Sequence, residues 1–326
     1  MMIESLPYDE VRNKIEDAGS ITILSHLNPD ADTLGTALGL YALLSTDKRL
    51  KVEIVNASTE LPLYLDFLPN FKKIKHHIDY ADSVIVSCDC GSVDRLGFDL
   101  EGRDIINIDH HQSNTRYGSI NVVIAEYASA SQVAYALFKA LYPIKADAAT
   151  CFYTALLSDT RFFTTSSVNE EVFTVAKELV QAGALPDEIA RHFTQRRPLS
   201  SLRILQRALT SLSLYHDAEI ATLMVTKEDI SASGATVPDM EGVVDYARSL
   251  ATVEIAIFAM ELEYGIRISL RSKKVDVSKV AMAFGGGGHK VAAGFTLGDK
   301  GAQCGLQESI DTILAKIEEL GLLDEK

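Results

Sequence analysis

His26, Asp30, Asp32, Asp89, Asp109, His110, His111 and Asp159 stand where apolar runs give way to turns or helix ends. Acids and imidazoles placed so close to core-forming segments need partners, because an unpaired buried charge is strongly disfavoured. The clusters are far apart in sequence yet alike in position, which points to one shared metal centre. Two divalent ions about 3.5–4 Å apart would activate a water there and hold a leaving oxygen, the chemistry of phosphate-ester cleavage.

Each cluster has a plainer reading to set beside this one. Asp30 and Asp32 follow Pro29 between a strand and a helix, so one turn carries both carboxylates. Asp32 could simply cap the helix opening at Thr33, but His26 ends the same strand and reaches the same space. Asp89 ends the most apolar strand of the chain, where a carboxylate bridging two cations competes with a turn residue feeding Gly91. Adjacent histidines on extended backbone point to opposite sides, so His110 and His111 serve one site only if the chain turns. One would then be a ligand and the other would face substrate, with Asp109 fixing an imidazole tautomer. Asp159 ends a helix, where its charge opposes the helix dipole unless a cation is near. His76 and His77 lie in a lysine-rich stretch and read as a solvated face.

An acid-rich donor set with some histidine favours Mn²⁺, with Mg²⁺ or Co²⁺ as alternatives. The four cysteines are Cys88, Cys90, Cys151 and Cys304. In a strand, Cys88 and Cys90 would share the face opposite Asp89 and read as core residues; no second pair completes a zinc site.

The elements that must position these groups are short runs rich in Val and Ile at residues 21–25, 52–55, 83–89, 104–109 and 120–124. Helical stretches at 4–18, 33–44, 129–141, 147–159 and 168–182 separate or follow them. This alternation predicts an α/β fold with a mainly parallel N-terminal sheet covered by helices. In such sheets ligands collect at the carboxyl ends of strands, where the acids and histidines fall. The first domain is expected over 1–190, a linker over 191–205 with Pro198 opening a helix, and a smaller α/β domain over 206–326. The second domain would have strands at 220–225, 253–258 and 265–270 and helices at 240–249 and 277–284.

Glycines 285–288 make a compact loop before His289. Gly286, Gly287 and Gly288 let backbone approach a ligand, and their N–H groups suit phosphate oxygens, although no P-loop Lys-Ser or Lys-Thr follows. Arg267 and Arg271 share a strand face, and Arg271, at the strand end, is the better grip for a terminal phosphate. Lys290 adds charge beside the glycines, and Arg116 is a further candidate in the first domain.

With 326 residues, 47% hydrophobic and 23% charged, the chain is long enough for two cored domains. A net charge of −14 disfavours a clamp on long nucleic acid, which relies on neutralising many phosphates. Short phosphorylated ligands stay open, since a local positive patch can sit in an acidic surface. The opening residues lack a secretion signal, and no uncharged run has the length of a membrane span. The expectation is a cytoplasmic protein without membrane partners.

Five motifs together resemble the DHH phosphoesterases with a DHH-associated C-terminal domain, within them the nanoRNase/pAp-phosphatase type. They are His26-Leu27-Asn28-Pro29-Asp30-Ala31-Asp32 with Gly35, Cys88-Asp89-Cys90-Gly91, Asn107-Ile108-Asp109-His110-His111 with Asn114, Thr154-Ala155-Leu156-Leu157-Ser158-Asp159-Thr160, and the glycines through His289 with Ala292-Ala293-Gly294. None departs from the pattern, so an active enzyme is expected. The resemblance implies one metal on His26, Asp30 and Asp89, and another on Asp32, Asp89, His110 and Asp159. His111 would face the scissile phosphate, Asp109 would support the histidines, and the C-terminal domain would close over substrate with His289 lining the cleft. It implies hydrolysis of very short single-stranded RNA to nucleoside 5′-monophosphates and of 3′-phosphoadenosine 5′-phosphate to AMP, and it allows a homodimer. The rival readings are a cyclic- or linear-dinucleotide phosphodiesterase, a pyrophosphate hydrolase and a non-catalytic nucleotide-sensing module.

Overall fold

The computed structural model describes residues 6–298 and 305–323. The chain divides into two compact units, Met1–Arg196 and Arg197–Lys326. The division falls inside the stretch read as a connector, which is largely helical.

The first unit opens with helix α1 (Tyr8–Asp17) and strand β1 (Ser20–Ser25); Glu4, where the sequence reading begins this helix, lies outside the described residues, as does Cys304. Helix α2 (Ala31–Leu44) and strand β2 (Lys51–Val55) follow. A two-residue strand β3 (Ile74–Lys75) precedes β4 (Val84–Cys88), β5 (Ile105–Asp109) and β6 (Ile120–Val123). Four helices complete the unit: α3 (Ala130–Phe138), α4 (Ala146–Asp159), α5 (Glu170–Gln181) and α6 (Pro186–Thr194).

All six strands pair in parallel, in the order β3-β2-β1-β4-β5-β6. The chain winds outward from β1 to β3, then returns to the centre at β4 and winds the other way. β1 and β4 therefore flank the point where strand order reverses, the place where such sheets bind ligands. One sheet face packs Ile23, Ile54, Val86 and Ile106 against residues of the helices, among them Leu34, Val133, Phe152 and Val172. The other face holds a smaller cluster of Leu24, Val55, Ile85, Cys90 and Leu96.

Helix α2 is buried along nearly its whole length and lies against α4. A Cβ on Gly35 would sit 2.7 Å from the Cys151 carbonyl, and one on Gly39 would sit 2.4 Å from the Phe152 ring. The two glycines thus allow a helix contact closer than any side chain permits. That contact fixes α2, which starts at the Asp30-Ala31-Asp32 turn, against α4, which ends at Asp159.

The second unit runs through helix α7 (Leu199–Thr210), β7 (Ser213–Tyr215), β8 (Ile220–Val225), α8 (Lys227–Ser233) and α9 (Val243–Arg248). It continues with β9 (Ile255–Leu262), β10 (Gly265–Ser272), α10 (Ser278–Ala283), β11 (Gly287–His289), β12 (Ala292–Leu297) and α11 (Gly305–Glu319). Its mixed sheet has the order β11-β12-β10-β9-β8-β7, with only β8 and β9 parallel. Residues of α10 and α11 cover one face with Val280, Ile310 and Ile313, and those of α7 and α9 cover the β8–β9 part of the other with Ile204, Val244 and Ala247.

One sequence expectation is corrected here. Gly287 and Gly288 are not part of a loop; with His289 they form the edge strand β11, paired to β12. Glycine suits this edge because a Cβ on Gly286 would meet the Gly294 carbonyl at 2.3 Å, and one on Gly288 the Ala292 carbonyl at 2.5 Å.

Candidate active site

The carboxyl ends of β1, β4 and β5 and the end of α4 bring all six expected metal ligands together. His26 directly follows β1, and its backbone N–H donates to Thr33 Oγ1 at 3.3 Å. The Thr33 hydroxyl donates onward to the Cys88 carbonyl at 2.9 Å, tying the ends of β1 and β4. Asp30, not Asp32, is the helix cap: its Oδ1 accepts from the backbone N–H groups of Asp32 and Thr33, both at 3.0 Å. Its other oxygen lies 3.9 Å from His26 Nε2.

Asp32 is buried and faces the start of α3. Its Oδ2 accepts from the Ala130 N–H at 2.7 Å, and its Oδ1 from the Ser131 N–H at 3.3 Å. A helix N-terminus thus supports this carboxylate, as its unpaired N–H groups and dipole favour negative charge.

Asp89 follows β4 with φ 54°, a left-handed conformation that few non-glycine residues adopt and that clusters at functional sites. The turn also corrects the expectation for the cysteines. Cys88 packs in the helix-covered core and Cys90 in the cluster on the other sheet face. The left-handed residue between them breaks the strand alternation. Both thiols are buried and form no disulfide among the described residues, and the Cys90 thiol donates to the Ser92 carbonyl.

The turn places the Asp89 carboxylate between two groups. Its Oδ2 lies 3.6 Å from His26 Nε2, and its Oδ1 lies 3.6 Å from His110 Nε2. His110 Nε2 is also 3.6 Å from Asp32 Oδ2 and 3.5 Å from Asp159 Oδ2. His26 with Asp30 and Asp89, and Asp32 with His110 and Asp159, are sets whose donor atoms all lie within 4.8 Å of one another. Second contacts fix which imidazole nitrogen faces the centre. His26 Nδ1 is 2.8 Å from the Leu27 carbonyl and His110 Nδ1 is 3.2 Å from the Tyr127 carbonyl. A carbonyl only accepts, so each Nδ1 carries the proton and each Nε2 offers its lone pair inward.

The donors fit hard divalent cations. Asp89 Oδ1 is buried and accepts no hydrogen bond, which is costly unless a positive charge supplies the missing partner. Burial and the neighbouring carboxylates push the Asp32 and Asp89 carboxyls well above their usual range. Burial likewise raises Asp159, against the pull of His110. Burial lowers His26. Crowded acids beside a neutral imidazole form a cage that is unfavourable empty and favourable around cations.

His111 is held differently. Asp109, fully buried, lies 2.8 Å from its Nδ1. Asp109 also accepts from the His110 N–H at 2.8 Å and from the Asn114 side-chain amide. This contact raises the His111 pKa. Burial works against Asp109, but hydrogen bonds and the imidazole keep its pKa below the usual range. His111 Nδ1 is also 3.5 Å from Asp89 Oδ1, and the shorter contact commits that nitrogen to Asp109.

The sequence reading missed Thr33, Ala130 and two arginines. The charge of Arg95 acts on both His26 and His111, and that of Arg161 acts on Asp159. Arg95 lies on a 3₁₀ turn (Val93–Leu96), and no spacing rule reaches from there to the histidines. Arg116 is exposed with φ 53°, and its N–H donates to Asn114 Oδ1 at 2.6 Å.

In the second unit, Arg267, Ser269 and Arg271 alternate with the buried Ile266, Ile268 and Leu270 along β10. Arg271 and His289 both pair with Ala292, one from each side of β12. They are therefore on one face, about 10 Å apart at the usual strand spacing. Lys290 is exposed beside them, and its carbonyl accepts from the Val277 N–H at 2.8 Å.

A switch-point parallel sheet carrying paired His/Asp sets at its strand ends is suited to holding divalent cations. Residues 20–156 match the DHH family, N-terminal domain, and residues 219–320 match the DHHA1 domain. The chain belongs to the DHH phosphoesterase family. The bifunctional oligoribonuclease and PAP phosphatase NrnA of Thermus thermophilus is 31% identical over 315 residues, 95% of this chain and 92% of that protein. The NrnA of Bacillus subtilis is 24% identical over 307 residues, 92% and 94% of the two chains. A crystal structure of an exopolyphosphatase-related protein from Bacteroides fragilis matches with a TM-score of 0.88 at 27% identity, over 98% of this chain and 99% of that one.

Proposed function

We propose that the chain uses two divalent cations, Mn²⁺ foremost, to hydrolyse very short single-stranded RNA to nucleoside 5′-monophosphates and 3′-phosphoadenosine 5′-phosphate to AMP. The observation that carries this reading is the Asp89 carboxylate, which turns one oxygen to each of two ligand sets. His26, Asp30 and Asp89 would hold one cation, and Asp32, Asp89, His110 and Asp159 the other. When bound, the pair supplies Lewis-acid activation of water and neutralises phosphate charge.

The same bond breaks in both substrates, between phosphorus and a ribose 3′-oxygen. The water oxygen bonds to phosphorus, that bond breaks, and the leaving 3′-oxygen takes a proton. His111, oriented and kept basic by Asp109, meets the charge that builds on the phosphoryl oxygens. Arg271 and His289 are the proposed grip on the substrate's terminal phosphate, with Arg267, Lys290 and the glycine backbone beside them and Arg116 as a further contact. The relatives named as oligoribonuclease and PAP phosphatase support this choice of substrates.

The test is turnover with Mn²⁺ on RNA of two to five nucleotides, a long RNA, 3′-phosphoadenosine 5′-phosphate, cyclic di-AMP and pyrophosphate. Preference for short RNA, with or without 3′-phosphoadenosine 5′-phosphate, is expected. Preference for cyclic di-AMP or pyrophosphate would overturn the substrate assignment.

A further inference from the structure

Helix α4 ends at Asp159, and Thr160 closes it with ordinary backbone angles. The next three residues, Arg161, Phe162 and Phe163, have φ of 46°, 60° and 61°. Successive left-handed residues with side chains are disfavoured by roughly 1–2 kcal/mol each, and helix ends that need this conformation usually take glycine. The segment is held by Thr160, whose carbonyl accepts from the Thr164 N–H at 2.8 Å and whose hydroxyl accepts from the Phe163 N–H at 3.2 Å. The Phe162 N–H donates to the Leu157 carbonyl at 2.8 Å.

This turn sorts two adjacent phenylalanines. Phe163 goes inward, 6.2 Å from the Tyr153 ring and 5.4 Å from that of Phe173. Phe162 is left 42% exposed. Its ring is propped by Phe193 in a T-shaped contact at 5.8 Å, and Phe193 rests on Tyr64 at 5.9 Å. Arg161 is exposed beside it. Two peptide units separate Arg161 from Asp159, so their Cα atoms are at most about 7.6 Å apart.

A lone exposed phenylalanine needs no explanation. An arginine and a propped aromatic ring, both set in strained backbone directly after a member of the ligand set, do. Their chemistry matches a nucleotide: sequence-tolerant single-strand sites pair a cation for the phosphate with an aromatic ring for the base. We propose that Arg161 and Phe162 form a nucleotide-gripping corner at the Asp159 side of the site, with the Phe162 ring stacking on a base and the Arg161 guanidinium holding a phosphate oxygen. The inference rests on the short-RNA reading and adds what makes that site prefer nucleotides over other phosphate esters.

The experiment uses the full chain with Mn²⁺ and two probes, the dinucleotide ApA and methyl p-nitrophenyl phosphate, which carries no base. Phe162→Ala is expected to lower the preference in kcat/KM for ApA over the base-less ester by roughly 5- to 150-fold, the range of one lost stacking contact. Arg161→Gly suits the left-handed position and should fold at least as stably, while KM for ApA rises about tenfold or more with bound Mn²⁺ unchanged. If wild type cleaves ApA and both variants keep its KM and its preference, the corner is wrong and the functional reading stands. If wild type ignores ApA and 3′-phosphoadenosine 5′-phosphate but cleaves the base-less ester, the functional reading fails and the corner falls with it.

Discussion

Asp109 Oδ1 lies 2.8 Å from His111 Nδ1, and the carboxylate is fully buried while the imidazole reaches the site. This pair sets the ring's orientation and its proton, in the manner of carboxylates that stand behind metal-site histidines. Asp109→Asn keeps the shape and loses the charge. Its kcat is expected to fall about 10- to 100-fold with bound Mn²⁺ unchanged. Unchanged kcat would remove the pair from the chemistry.

The crowded acids predict a stability effect that reverses with metal. In chelator, Asp89→Asn relieves repulsion between buried carboxylates and should stabilise the protein by roughly 0.5–2 kcal/mol. With Mn²⁺ at about a hundred times its dissociation constant, one occupied site stabilises wild type by about 2.7 kcal/mol, and the order inverts. Thermal melts of both proteins in chelator and in Mn²⁺ check this; the same order in both conditions contradicts it.

Truncating Arg271 to Ala should raise KM, with the loss equivalent to roughly 2–5 kcal/mol if the contact is a buried charge pair, and should leave bound metal unchanged. Steady-state kinetics beside a metal assay separate these effects. An unchanged KM would take Arg271 out of the site.

Away from the site, Glu53 is a second carboxylate held in the sheet. Burial pushes its carboxyl up, but hydrogen bonds from Thr22, Lys75 and the Asp79 and Tyr80 N–H groups outweigh this and hold it below its ordinary value. A carboxyl with a depressed folded pKa stabilises above its unfolded pKa, and this is lost as pH falls through the folded value. Glu53→Gln should therefore cost about 1–3 kcal/mol at pH 7, and the gap from wild type should close well below pH 4. Urea melts at the two pH values measure it; a gap that does not shrink would show that the charge is not the cause.

Much of the first unit was legible because short Val- and Ile-rich runs ending in acids or histidines mark parallel strands with a site at their carboxyl ends. β3 escaped notice because two residues inside a lysine-rich stretch carry no pattern. The second unit was harder to read: the helix opened by Pro198 is α7, but α8, α11 and three short or late strands were missed, and the glycines were taken for a loop. Asp30, Asp32, Asp89, His110 and Asp159 stood out by type and position. The contacts that set their geometry did not. The Ala130 and Ser131 N–H groups that hold Asp32, and the left-handed turn that sets one Asp89 oxygen near His26 and the other near His110, depend on strand order and backbone angles that no local spacing encodes.

The central claim is that Asp89 serves two cations at once. Bound Mn²⁺ per chain, measured by calorimetric titration alongside turnover, tests it in wild type and in Asp89→Ala. The account predicts two ions in wild type, and in the variant weakened binding at both sites with turnover abolished on every substrate. Two tightly bound ions and normal turnover in Asp89→Ala would contradict it.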